Sequence, residues 1–235
     1  MAAPFTVSRV AATDFSEILR PLNRRGGDLA TPPISPLCWP VADGDDKEAL
    51  RRLRYSTANE EKFFKVDPTC HQIKACTPDG EIVSYARWNF FPEGYEFEKH
   101  EYVDVGEFLP EDARSVMKLD LYRELRTGMM RLRREWQPRG QACWVLMSMV
   151  SRECWRKQGA ASLLIDWGVK KAREDGVPAY LEASVTGKPV YEKAGFREVG
   201  EHVPWDMRPH GIPVVFNIAK MAYIPESDFV KHPHK

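Results

Sequence analysis

No excess of either charge runs through this sequence: 34 lysines and arginines offset 34 aspartates and glutamates. That balance removes the overall pull that brings a basic domain to nucleic acid or to an anionic bilayer, so neither is expected as a partner. Long hydrophobic runs are missing too. No stretch reaches the length needed to span a membrane, and the opening MAAPFTVSRV holds no apolar core of signal-peptide length. No two cysteines are spaced as CxxC. The five present (Cys38, Cys70, Cys76, Cys143 and Cys154) are odd in number, which suggests free thiols in a reducing compartment, hence a cytoplasmic protein. The six histidines show no ligand spacing near those cysteines, so no metal site is expected. Two phosphate signatures are absent: GxxxxGK followed by Ser or Thr, and GxGxxG.

What is present describes one globular α/β domain over residues 1–235. Apolar residues make up 43 % and charged residues 29 %, ordinary for such a chain. FTVSRVAA alternates as a first strand. Residues 21–44 are rich in Pro and Gly and read as an irregular loop. A helix is expected from Asp45 or Asp46 to about Phe64. CHQIKACT and EIVSYARWNFF flank Pro78-Asp79-Gly80, which predicts a hairpin. Residues 92–107 form a loop carrying Glu93, Glu96, Glu98, Glu101, Asp104 and Glu107. From Glu111 to Trp136, Val116, Leu119, Tyr122, Leu125, Met129, Leu132 and Trp136 recur at steps of three and four. That predicts one long helix with this stripe buried and an arginine-rich face in solvent. ACWVLMSMV reads as a strand buried on both faces. A helix follows from about Ala160 to Glu174, ended by Gly176. VPAYLEAS is a strand, Pro189 to Ala194 a short helix ended by Gly195, and FREVGEH and VVFNIAKMAYI are the last strands.

The stretch SRECWRKQGAASLLIDWGVKKA, from Ser151, poses a chemical question. Helix N-termini are electropositive and favour Asp or Glu, yet Arg156 and Lys157 stand here before Gly159-Ala160-Ala161-Ser162. Small residues let a ligand approach the backbone, and free N–H groups at a helix start bind phosphate oxygens. The segment is therefore either a pyrophosphate cradle or an ordinary strand-to-helix turn.

A resemblance favours the cradle. Arg156-Lys157-Gln158-Gly159-Ala160-Ala161 is similar to motif A of the GNAT superfamily of acyl-CoA-dependent N-acetyltransferases. That motif has Arg or Gln, two residues, Gly, one residue, then Gly or Ala. Trp155 stands at the aromatic position often found before the Arg. Tyr191-Glu192-Lys193-Ala194-Gly195-Phe196 resembles the aromatic run of the family's motif B. The likeness is strong over residues 141–202, and the general layout resembles fungal members of the family.

The resemblance implies a mixed, mostly antiparallel central sheet that splays between two parallel strands, with helices on both faces. It implies acetyl-CoA as acyl donor. The pyrophosphate would lie on Arg156, Lys157, Gln158, Gly159, Ala160, Ala161 and Ser162. The pantetheine arm would lie along Met149, Val150 and Ser151, with Ser184 facing it. An N–H near Met149 or Val150 would polarise the carbonyl. Tyr191 matches the tyrosine that protonates the leaving thiolate; its alternative role is a buried aromatic anchor. The family's histone-modifying branch carries a glutamate on the strand before motif A, and by spacing its place here is Val145. Strand alternation puts Glu182 on one face with Tyr180 and Ser184. Glu182 is then either the general base or a structural carboxylate in a salt bridge. In three places the chain departs from the pattern: Ser151 replaces a usual Val, Arg152-Glu153 replace Asp-Pro, and Ala161 stands for Gly.

The acceptor expected is a small-molecule amine, with the acidic loop at 92–107 one means of attracting a cation. A protein lysine or N-terminal amine is the second reading. A fold that binds acyl-CoA without catalysis is the third. The assembly is expected to be a monomer or homodimer.

Overall fold

The ten-residue strand Ile82–Phe91 (β3) is buried on both faces along nearly its whole length, as a central strand must be, and its polar Ser84, Arg87 and Asn89 are bonded to neighbouring groups. The structure is a computed structural model that describes residues 5–20, 37–42, 44–96, 111–137, 139–213 and 215–225. Before β3 come β1 (Thr6–Arg9), α1 (Phe15–Leu19), α2 (Asp46–Val66) and β2 (Cys70–Cys76). After it come α3 (Glu111–Arg114), α4 (Leu119–Trp136), β4 (Cys143–Ser151), α5 (Ala160–Asp175), β5 (Ala179–Ser184), α6 (Lys188–Lys193), β6 (Arg197–Glu198), β7 (Val203–Asp206) and β8 (Val215–Tyr223).

One sheet runs β1-β2-β3-β4-β5-β8-β6, with β7 also on β8. Every pairing is antiparallel except β4 with β5. That parallel pairing covers only Trp144–Leu146 against Ala179–Leu181. Beyond it the two strands part, as the splayed sheet expected above requires.

Helices cover both faces. α5 buries Ala160, Leu164, Ile165, Gly168, Val169 and Ala172, a stripe at helical spacing. It packs with Trp88, Trp144, Leu146 and Leu181 in the main core. Gly168 has a local reason: a Cβ there would lie 2.2 Å from the Trp88 ring. Trp88 also donates its indole N–H to the Leu164 carbonyl at 3.2 Å, so strand and helix lock together. On the opposite face Phe15, Ile18 and Leu19 of α1, with Leu53 of α2, cover Ile82, Tyr85 and Val150.

The helix expected over 111–136 is interrupted. α3 ends at Arg114 and α4 begins at Leu119. Between them the Lys118 N–H is given to the Cys38 carbonyl, 2.7 Å away, a bond from a distant segment that intrahelical geometry would have claimed. The buried face follows the expected stripe in part: Leu125 is buried and Tyr122 packs beside it, but Val116 is 40 % exposed and Leu121, outside the stripe, is buried with Cys38 and Met207. β7 is a strand that the residue pattern did not announce. Most of the irregular segment at 21–44, and Glu98, Glu101, Asp104 and Glu107, lie outside the described residues.

Candidate functional site

The chain leaves β4 through Arg152 and a short 3-10 turn, Glu153–Trp155, and enters α5 at Gly159. Two backbone positions make that path. Lys157 has φ +62°, and Gly159 has φ +97°, a conformation that costs a side-chain-bearing residue about 1–2 kcal/mol. A Cβ added to Gly159 would meet nothing within 4 Å. The space in front of the helix is therefore open, and glycine is needed for the backbone angle alone. Among the described residues no side chain caps α5, and no acid stands in its first turn, so its leading N–H groups are available to an anion. Arg156, Lys157 and Gln158 are exposed. Gln158 donates to the Cys154 carbonyl at 3.0 Å, and among the described residues neither basic side chain has an ion-pair partner. Trp155 pins the loop by packing edge-on to Phe5 with centroids 5.8 Å apart. These features suit a pyrophosphate: open, basic and lined by backbone donors.

The second part of the site is the exposed edge of β4. β4 carries an extra residue, since Trp88 pairs with Leu146 but Arg87 with Ser148. Met147 is that bulged residue, and a bulge shifts the phase of a strand. Before it, the Trp144 N–H addresses the β5 side, bonding the Pro178 carbonyl. After it, the Arg152 N–H bonds the Val83 carbonyl on the β3 side, and Ser84 Oγ donates to the Val150 carbonyl at 2.9 Å. Alternation then turns the backbone groups of Met149 and Ser151 away from β3, toward the space that β5 has left. Of the two candidates for polarising an acyl carbonyl, Met149 therefore has its N–H directed into the cleft and Val150 does not. Ser151 Oγ lies 2.7 Å from Ser84 Oγ, so its hydroxyl braces β3.

Arg152 stays clear of the loop. Its guanidinium pairs with Glu17 of α1 and Glu81 of the β2–β3 turn. Ser184 Oγ accepts the Gly187 N–H at 3.1 Å and so closes the turn into α6. Tyr191, on α6, is buried and packs edge-on to Phe196. Burial first, and the Glu182 carboxylate second, push its hydroxyl well above the usual tyrosine range. No hydrogen bond engages that hydroxyl among the described residues.

Glu182 is held by a residue not foreseen from the sequence. Arg133 of α4 reaches it with Nε 3.2 Å from both carboxylate oxygens and a terminal nitrogen 3.1 Å from Oε2. The two side chains are 8 % and 3 % exposed. α4 comes this close because Gly128 lies against Trp205 of β7, where a Cβ would stand 2.4 Å from the ring. Of the two roles open to Glu182, this geometry favours the structural carboxylate, since its lone pairs already serve a guanidinium fork. Glu182→Met is expected to cost about 3–5 kcal/mol in urea unfolding, because the buried Arg133 guanidinium loses its carboxylate. Glu182→Met with Arg133→Met should recover most of that loss. If Glu182 were instead the proton acceptor, Glu182→Gln would lose kcat/KM most steeply at low pH and recover at high pH.

The arginine on α4 carries no sequence signal of its own, because Arg126, Arg131, Arg133 and Arg134 crowd the same helix end. The bulge at Met147 has none either, since no Gly or Pro marks it.

A family profile described as "Acetyltransferase (GNAT) family" matches residues 36–196. No curated protein sequence matches the chain. Solved structures do. A Corynebacterium glutamicum protein described as histone acetyltransferase HPA2 and related acetyltransferase aligns with TM-score 0.55 at 18 % identity, covering 94 % of this chain and 97 % of that one. Arylalkylamine N-acetyltransferase 2 from Aedes aegypti aligns with TM-score 0.54 at 14 % identity, covering 94 % and 98 %. A spermidine N-acetyltransferase chimera built from the Vibrio cholerae enzyme aligns with TM-score 0.52 at 11 % identity, covering 97 % and 99 %.

Proposed function

The chain belongs to the GNAT family of acetyltransferases, and on that premise we propose that it moves an acetyl group from acetyl-CoA to a primary amine of a small molecule. The observation that carries this reading is the alignment of two open backbone features. One is the uncapped start of α5 behind Gly159. The other is the β4 edge at Met149 and Ser151, freed where β5 departs.

In this reading the N–H groups from Gly159 to Ser162 hold the pyrophosphate, with Arg156, Lys157 and Gln158 at its rim. The Met149 N–H is directed at the thioester carbonyl, where a fixed donor stabilises the charge that develops as the amine attacks. Ser151 extends the strand pairing to the pantetheine arm, with Ser184 across the cleft. Tyr191 stands ready to give a proton to the thiolate as the C–S bond breaks. Glu182, locked by Arg133, contributes negative charge that keeps the Tyr191 hydroxyl protonated. The amine then enters as its neutral fraction and loses its extra proton to water after attack.

A small amine is favoured over a protein lysine by Val145, a buried apolar residue where the histone-modifying branch has its glutamate. Structures of the same fold belong to proteins named for arylalkylamine and spermidine, so the fold accommodates that substrate class, as it does a protein described as a histone acetyltransferase. The experiment is a panel of primary amines with acetyl-CoA, read as released CoA thiol, beside a lysine-peptide panel. Turnover on small amines with none on peptides is the expected result. Turnover confined to peptides would reverse the assignment.

A further inference from the structure

The last stretch of β4 has a neighbour on one edge alone. Its pairing with β5 ends at Leu146, and the bulge at Met147 interrupts its ladder with β3 one residue later. From Ser148 to Ser151 the strand has β3 on one side and the cleft on the other. A strand end paired on one edge resists twisting less than one paired on both, and a twist tilts the N–H groups that its open edge presents.

Ser151 feels that freedom most. It stands opposite Ser84. The bond from the Arg152 N–H to the Val83 carbonyl beside them marks the two serines as a pair that exchanges no backbone hydrogen bond. The Ser151 N–H faces the cleft, so the tie to β3 at this level comes from side chains. Ser84 is 3 % exposed and donates to the Val150 carbonyl at 2.9 Å. Its one proton is used there, so the Ser151 hydroxyl donates to Ser84 Oγ across 2.7 Å. The carbonyl that Ser84 holds belongs to the same peptide unit as the Ser151 N–H, and a planar trans peptide points the two in opposite directions. Holding that carbonyl toward β3 therefore holds the N–H toward the cleft.

The other face of the strand is held as well. Met149 packs in the core under α5 and Val150 under α1, so alternation turns Ser151 to the α5 face and Arg152 to the α1 face. There the Arg152 guanidinium bridges Glu17 of α1 and Glu81 of the β2–β3 turn. Glu17 also accepts the Ile82 N–H at 3.3 Å, which ties the bridge to the start of β3. All three side chains are a quarter or more exposed, so the bridge adds little to stability. What it restricts is rotation of the strand end.

We propose that Ser84 and Arg152 are positioning residues for the acyl donor, gripping the end of β4 from opposite faces so that the Ser151 N–H meets the pantetheine arm at a fixed angle. The inference rests on the placement of acetyl-CoA proposed above. Both residues act through the backbone of β4.

The test divides the donor. 3′-Phospho-ADP carries all the phosphates of acetyl-CoA and lacks the pantetheine arm, so it reports the loop at Gly159 without the β4 edge. Dissociation constants of both ligands are measured by calorimetry for wild type, Ser84→Ala and Arg152→Gln. Ser84→Ala is expected to weaken acetyl-CoA by about three- to tenfold, the worth of one neutral hydrogen bond, and to leave 3′-phospho-ADP unchanged. Arg152→Gln is expected to show the same split at smaller size, and at its partly exposed position it keeps the test open should Ser84→Ala fail to fold. Equal weakening of the two ligands would overturn the proposal, because a loosened fold or a lost positive charge acts on both. Unchanged acetyl-CoA affinity in either variant would remove that residue from the grip. A wild-type protein that binds neither ligand overturns the placement of the donor itself.

Discussion

Tyr191→Phe is expected to lower kcat by about 10²–10⁴-fold, the range for loss of a positioned general acid, while acetyl-CoA affinity stays the same. The substitution removes one oxygen that bonds nothing among the described residues, and the ring that packs against Phe196 is retained. Fold and cofactor binding therefore have no reason to change. The pH profile separates this role from simple packing. Burial and the Glu182 carboxylate raise the Tyr191 pKa, so the hydroxyl keeps its proton throughout the neutral and mildly alkaline range. Wild-type kcat/KM should rise with pH as the neutral amine fraction grows and should not turn down near the ordinary tyrosine pKa of about 10. The variant should follow the same rise at a lower level. A loss below about threefold would return Tyr191 to the role of a buried anchor, with water protonating the thiolate.

The elements proposed to hold the acyl donor were legible because their constraints are local. Gly159 is required by its own backbone angle, Gly176 and Gly195 end their helices with φ +66° and +95°, and the apolar run of β4 has a length and composition suited to a buried strand. The features that were not legible depend on partners far away in the chain. The break before α4 exists because the Cys38 carbonyl takes the Lys118 N–H. Arg133 turns inward because β5, 49 residues on, presents Glu182. β7 hid behind Pro204, which argues against a central strand but is tolerated where one edge is unpaired. Here β7 pairs only with β8.

The placement of the acyl donor depends most on the start of α5, and Gly159→Glu probes it directly. The new side chain would project into the open space before the helix and set a negative charge against the pyrophosphate. Glutamate must also accept φ +97°, so Gly159→Ala serves as the control for backbone strain alone. The decisive measurement is the stabilisation that acetyl-CoA gives each protein. Wild type should gain about 2.7 kcal/mol at one hundred times its dissociation constant, and Gly159→Ala should still gain at a higher ligand concentration. Gly159→Glu should gain nothing at any concentration tried. Equal stabilisation of wild type and Gly159→Glu would contradict the placement of the donor on this loop.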